Sequence, residues 1–202
     1  MTILSDLRYM TGDTRIKTIT LLLFIGWQLY WNITAKKAEK AKPKTKQPTF
    51  YVTLRTYSNH ILGIILLLQL LGFKFFSFPH SPSLQILGFI IVVCGITISV
   101  LARITLNANW THAFEYQIKK NHELVTTGLY GYIRHPIYTG LIMAYTGAEI
   151  VMGSYLFIFF FLLLFWIFNR NAIKEETLLK EHFGQRYEFY LKNTSRFLPH
   201  IY

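Results

Sequence analysis

The sequence predicts an all-α, polytopic integral membrane protein, on three observations. Of 202 residues, 52% are hydrophobic and only 15% charged. Several apolar runs reach the roughly 20 residues that a helix needs to cross a hydrocarbon core. The basic residues, which give a net charge of +11, collect between those runs rather than within them.

The first apolar run is "TITLLLFIGWQLYWNI", 18 to 33, and the second "ILGIILLLQLLGFKFFSF", 61 to 78; the third is "LQILGFIIVVCGITISVLARITL", 84 to 106. A fourth run extends from Ile137 to Phe168, too long for one crossing, so it folds back on itself. The break is expected at "MGS", 152 to 154, where Gly153 suits a turn. About five transmembrane helices result, with spans four and five forming a helical hairpin.

Loop charge orients them. Residues 36–55 carry seven Lys or Arg and residues 103–136 carry four, whereas "PHSPS", 79 to 83, carries none. The basic loops and the basic C-terminal tail are thereby expected in the cytosol. Lys74 and Glu149 fall at outer span ends and read as interfacial residues. Beyond Arg170, Leu179, Phe183, Tyr187 and Leu191 recur every four residues, which predicts a cytosolic amphipathic C-terminal helix. One integrated membrane domain is expected: spans 1–3 in residues 1–106, with a basic cytosolic loop over 34–57, and a second region with the hairpin and the C-terminal helix in 107–202.

Several function classes are set aside. Positive charge between apolar spans accounts for the basicity without nucleic acid, and no groove-reading motif accompanies it. Cys94 is the only cysteine, so no intrachain disulfide or CxxC site exists. The seven His lack metal-ligand spacing, so no metal is expected. Residues 1–17 lack the apolar stretch of a secretory signal.

The chemistry concentrates in "GLYGYIRHPIYTG", 128 to 140. Pro136 suits the first turn of span four and pushes His135 into a cap-like conformation, leaving first-turn N–H groups and Arg134 and His135 facing the cytosol. Tyr138 shares the face of His135. Counting along the hairpin brings "KEE", with Glu175 and Glu176, back to the same depth. Two readings fit: a positive-inside boundary beside a solvated helix turn, or a mouth that takes a ligand with one anionic and one cationic end.

The run "HELVTTGLYGYIRHPIYTG", 122 to 140, followed by "EETLLKEHFGQRYEFYLKNTSRFLP", 175 to 199, resembles the isoprenylcysteine carboxyl methyltransferases and the broader family that contains the phospholipid methyltransferases. The shared pattern is H-x-L-V, G-x-Y, R-H-P-x-Y-x-G, then E-E with F-G and Y-x-x-Y, and it covers about the last hundred residues. The resemblance implies S-adenosyl-L-methionine as cofactor. Its contacts would come from His122, Glu123, Leu124, Val125, Tyr130, His135, Pro136, Ile137, Tyr138, Glu175 and Glu176, with Glu115 aligned to an upstream glutamine of the family. Backbone groups near Leu124 and Val125 would read the adenine, His135 and Tyr138 would hold the methionine end, and Glu175 would take a cationic or hydroxyl part. Arg134, His135 and Asn171 are the candidate catalytic positions. Asn171 departs from the eukaryotic enzymes, where an arginine four residues before the first Glu faces the substrate carboxylate.

The implied activity is methyl transfer to a lipophilic acceptor drawn from the bilayer, with the isoprenylcysteine carboxylate as acceptor. A phosphatidylethanolamine-like amine and a non-catalytic membrane scaffold are the alternatives. The implied location is multi-pass in a membrane with the site facing the cytosol: a bacterial or archaeal inner membrane, or the endoplasmic reticulum of a eukaryote.

Overall fold

The computed structural model describes residues 3–40, 61, 63–79, 81–110 and 123–199. The basic loop around residues 41–60, together with Glu115 and His122, lies outside the described residues.

All regular structure among the described residues is helical, supplemented by two isolated bridges, Ser77 with Ser154 and Ile133 with Ser195. Helix α1 runs Ile3–Lys40. It is far longer than the apolar run 18 to 33, and one support beyond that run is the i,i+4 pair of Lys17 Nζ with Asp13 Oδ2 at 2.8 Å. Residues 63–70 belong to α2. Helix α3 spans Pro82–Leu106, begun by the Ser81 side chain, which accepts from Leu84 N, and by Pro82 in its first turn. Helix α4 spans Pro136–Met152 and α5 spans Leu156–Phe183. Helix α6 spans Gln185–Asn193.

Span two differs from expectation. Its helix stops at Leu70 instead of reaching residue 78. Gly72, at φ 97°, turns the chain, and Phe73 N donates to Leu68 O at 3.0 Å. The following residues then have another use. Phe78 N donates to Gly153 O at 2.9 Å, Tyr155 N to Phe76 O at 2.8 Å, and Ser154 Oγ to Phe75 O at 2.7 Å. The backbone polar groups at the hairpin tip are thus satisfied by a crossing segment, which an apolar environment demands. The turn itself falls where expected: α4 ends at Met152 and Gly153 adopts φ 72°.

Helices α3 and α5 are the two described helices long and apolar enough to cross a membrane by length and composition. Their outer faces expose large apolar side chains, among them Leu87, Ile90 and Ile104 on α3 and Phe159, Leu162 and Trp166 on α5. Helix α4 is the inner element, with most of its residues buried. It meets α3 through two glycine pairs at matched spacing: a Cβ on Gly95 would lie 2.6 Å from Gly140 O, and one on Gly88 would lie 2.9 Å from Gly147 O. Small residues at this seam let the two backbones touch, as in close-packed membrane helices. A Gly140→Leu substitution is expected to abolish monodisperse protein in detergent size-exclusion chromatography, because its side chain meets Gly95 backbone at 2.5 Å rather than a yielding side chain.

The inner position of α4 corrects the reading of Glu149. It is fully buried instead of interfacial, and its Oε2 accepts from Gln69 Nε2 at 2.9 Å. The helix that carries it faces protein on nearly every side, so an acidic residue there is enclosed by packing. Lys74, in the irregular segment after α2, is exposed.

The amphipathic tail is also divided differently. Helix α5 continues without interruption from the apolar segment through Glu175 and Glu176 to Phe183, and only then does Gly184, at φ 56°, break the chain and start α6. Of the four residues in that spacing, Tyr187 is almost fully enclosed, and Leu179, Phe183 and Leu191 are half-buried. Two ends of the bundle result. One holds Ser81 and the Gly153 turn; the other gathers Arg103, His135, Glu176 and the C-terminal segment. Single cysteines at Ser81 and Lys192 are expected to label from opposite faces of sealed vesicles, and labelling of both from one face would contradict the orientation read from the loops.

Candidate active site

The site forms where α4 begins, α5 passes and the segment after α6 returns. Pro136 is the first residue of α4 and fully buried; His135 is the N-cap, with φ −125° and ψ 56°, and makes no side-chain cap bond. The residues before it are fixed by two contacts. A short 3₁₀ turn, Gly128–Gly131, places Tyr130 in the interior, and Tyr190 Oη donates to Tyr130 O at 2.7 Å. The C-terminal segment then lies along 132–135. Arg134 N donates to Ser195 O at 2.9 Å, His135 N to Arg196 O at 3.1 Å, and Ser195 N to Tyr132 O at 3.2 Å. Thr139 Oγ1 closes the strap by donating to Phe197 O at 2.9 Å.

This strap changes the expected picture of the "RHP" stretch. Arg134 and His135 were expected to face the cytosol; both are instead turned into the bundle, and His135 is only 7% exposed. Their backbone N–H groups belong to the tail. The cause is a contact some sixty residues distant in sequence, which no local pattern contains.

The two glutamates divide sharply. Glu176 sits at the centre of a charged cluster: its Oε1 accepts from Arg134 Nε at 2.9 Å and from Arg196 Nε at 3.1 Å, and lies 3.2 Å from His135 Nε2. Its Oε2 accepts from Arg196 Nη2 at 2.8 Å. Arg134 Nη1 also donates to Thr194 O, and Arg196 Nη1 to Asn169 Oδ1 at 2.9 Å. Both oxygens of Glu176 are therefore engaged in joining α4, α5 and the tail. Glu175, one position back, has a side chain 28% exposed against 10% for Glu176. It accepts from Tyr138 Oη and lies 3.5 Å from His135 Nδ1.

His135 thus has a carboxylate beside each ring nitrogen, and only the imidazolium can donate to both. Burial pushes its pKa down, but the hydrogen bonds and charges of Glu175 and Glu176 outweigh that and hold it above the usual imidazole range. The sign of the consequence is fixed. A group whose pKa is raised on folding adds stability that is complete below its unfolded value, about 6.5, and is lost as pH rises through the folded value. The unfolding midpoint in detergent is expected to fall over that interval, and His135→Gln to flatten the slope.

A continuous stack lines the apolar side of the cluster. The His135 and Tyr138 rings lie 5.4 Å apart at 5°, and Tyr138 and Phe168 lie 4.7 Å apart at 11°. Ile137 packs on the same apolar cluster, with Phe168, Ala172 and Phe197. Asn171 is buried one turn before Glu175, whereas the neighbouring Arg170 points outward, its guanidinium 4.8 Å from the Trp166 ring centre. Leu124 and Val125 lie half-buried in an irregular segment, and Glu123 N donates to Asn109 Oδ1 at 3.0 Å.

The structure therefore brings Arg134, His135, Tyr138, Glu175 and Glu176 together and places Tyr130, Pro136, Ile137 and Asn171 around them. Arg196 was missed. A lone arginine before "FLP" resembles any tail charge, and the only available sign was that an apolar triplet follows it. Tyr190 was quoted only as the last residue of Y-x-x-Y and given no role, because aromatic residues at helix ends also serve as interfacial anchors.

A family model described as phospholipid methyltransferase matches residues 84–186. A probable protein-S-isoprenylcysteine O-methyltransferase of Oryza sativa subsp. japonica is 31% identical over 115 residues, covering 56% of this chain and 60% of that protein. The protein-S-isoprenylcysteine O-methyltransferase of Dictyostelium discoideum is 28% identical over 183 residues, covering 90% of this chain and 75% of that protein. A solved structure of the eukaryotic intramembrane Ras methyltransferase, an isoprenylcysteine carboxyl methyltransferase, superposes with a TM-score of 0.55 at 28% identity, over 58% of this chain and 43% of that one. This chain thus spans about three fifths of the rice relative. With the match running from α3 through Arg134, His135, Glu175 and Glu176 and into α6, the chain belongs to the phospholipid methyltransferase family.

Proposed function

We propose that the protein is an integral membrane methyltransferase that uses S-adenosyl-L-methionine to methylate the carboxylate of a lipophilic, isoprenylcysteine-like acceptor. The observation that carries this is the division of labour between the two glutamates: Glu176 is consumed by Arg134, His135 and Arg196, while Glu175 stays partly open beside His135 and Tyr138. The names of the rice and Dictyostelium relatives favour a carboxylate over an amine acceptor.

The residues present fit the cofactor by their chemistry. An imidazolium, a phenol and a partly open carboxylate within one cluster complement a zwitterionic methionine end, and the first-turn N–H groups of α4 lack a side-chain cap. When bound, the cofactor supplies an electrophilic methyl group on a sulfonium. His135 and Tyr138 would hold the anionic part and Glu175 the cationic part, while Leu124 and Val125 offer backbone groups to the base. The work of the chain is to orient and to exclude water. Glu176 and Arg196 fix the helix ends against one another, and the His135, Tyr138 and Phe168 rings form a dry wall. The lipophilic acceptor would arrive along the apolar flank of α5, whose outer face is exposed.

Calorimetric titration with the demethylated cofactor tests the reading. Saturable binding is expected, and its absence at millimolar concentration would favour a non-catalytic scaffold of the same fold.

A further inference from the structure

Glu149 stands in the last turn of α4, fully buried, and its Oε2 accepts from Gln69 Nε2 at 2.9 Å. Its Oε1 is buried and has no hydrogen-bond partner, and the same holds for Oε1 of Gln69, itself only 8% exposed. Both open oxygens therefore belong to one hydrogen-bonded pair. Each is an acceptor, and a buried acceptor left open signals a donor or cation that the chain does not supply. Among the described residues Glu149 takes part in no ion pair. Lys74, in the segment after α2, is exposed.

The polar groups around the pair are already committed. Ser154 Oγ, just beyond the turn, donates to Phe75 O at 2.7 Å and accepts from Leu156 N at 3.2 Å, which answers the first N–H of α5. Thr146, one turn before Glu149 on the same face of α4, also has a buried Oγ1 without a partner. Electrostatics point to positive charge. Gln69 lies in the last turn of α2 and Glu149 in that of α4, which holds no basic residue, so two helix carbonyl ends, each equivalent to roughly half a negative charge, meet at a carboxylate. A water can donate to both open oxygens but leaves the charge uncompensated, and a proton on Glu149 removes only the carboxylate's share.

We infer that Glu149 and Gln69 form a binding site for a monovalent alkali cation, held by their two Oε1 atoms between the ends of α2 and α4. The available ligand atoms are all oxygens, the preference of hard cations, and a single carboxylate matches a single positive charge. Such a site needs none of the His or Cys spacing by which a metal centre is read in sequence. The ion ties α2 to the hairpin tip, at the end of the bundle that holds Ser81 and the Gly153 turn, so the inference is independent of the methyltransferase reading.

The test uses the whole chain, purified in detergent, exchanged into choline chloride and titrated with sodium chloride or potassium chloride at constant ionic strength, so that general screening does not change. The unfolding midpoint is expected to rise with the logarithm of the concentration of at least one of the two cations, as binding to the native state alone requires, and radiolabelled sodium, or rubidium in place of potassium, is expected to bind saturably. Glu149→Gln, which keeps the shape and an acceptor for Gln69, is expected to weaken that binding by about 10- to 100-fold and to flatten the midpoint against salt. Gln69→Met removes the other oxygen and keeps the carboxylate; it is expected to weaken the ion as well, and it carries the comparison where Glu149→Gln does not fold. Equal midpoints in the three salts with no saturable label would overturn the inference, as would cation dependence that survives in the variants. Stabilisation that follows pH and not the cation would mean that a proton closes the pair, and would overturn it too.

Discussion

Glu175→Gln is expected to weaken binding of the demethylated cofactor by roughly 10- to 150-fold, the effect of losing one charge-assisted contact of about 1.5 to 3 kcal/mol. Folding should survive. Glu175 is partly exposed, and Gln can still accept from Tyr138 Oη, so no void is left and only the longer, 3.5 Å contact with His135 Nδ1 is lost. Titration calorimetry on protein that elutes normally separates the outcomes. Unchanged affinity would mean that the open carboxylate faces solvent and nothing else.

Glu176→Ala is expected to act in the opposite way, costing about 3 to 5 kcal/mol of stability. The change removes the carboxylate that Arg134 and Arg196 share, and their side chains are about as buried as it is. It also loosens the tail on α5, because Arg196 loses its two contacts with Glu176 at 3.1 and 2.8 Å and keeps there only such contacts as that of Nη1 with Asn169 Oδ1. A lowered unfolding midpoint and faster proteolysis after residue 193 are the observables. Glu176→Gln should be milder, since an amide oxygen still accepts from one guanidinium. A Glu176→Ala protein as stable as the unaltered one would show that the cluster is a surface ornament, contrary to its burial.

These two variants also mark what was legible in the sequence. The hairpin was: residues 137 to 168 exceed one crossing, Gly153 supplies the turn, and counting residues brings His135 and Glu175 to one depth, where the structure finds them 3.5 Å apart. Helix α3 was legible for the same reason, an apolar run between a Ser-Pro start and a basic end. Local pattern could not say which glutamate was open. That choice depends on Arg196, brought to α5 by the tail after α6, and the sequence presents that arginine as one more basic residue in a basic tail. The end of α2 at Leu70 escaped for a related reason. Residues 73 to 78 are as apolar as a helix requires, but their backbone is recruited by the Gly153 turn. The burial of Glu149 follows from the glycine seam between α3 and α4, which was present in the sequence as Gly88, Gly95, Gly140 and Gly147 and acquires meaning only when the two helices are seen to pack on those positions.

The central claim is transfer of a methyl group to a carboxylate, and a methyl ester differs from a methylamine in how it meets base. Purified protein in detergent, supplied with methyl-labelled S-adenosyl-L-methionine and an S-prenylated N-acylcysteine, should yield an organic-soluble product that releases labelled methanol on mild alkaline hydrolysis. Label that remains with a base-stable lipid amine, when phosphatidylethanolamine is offered beside the prenylated thioether, would contradict the carboxylate assignment.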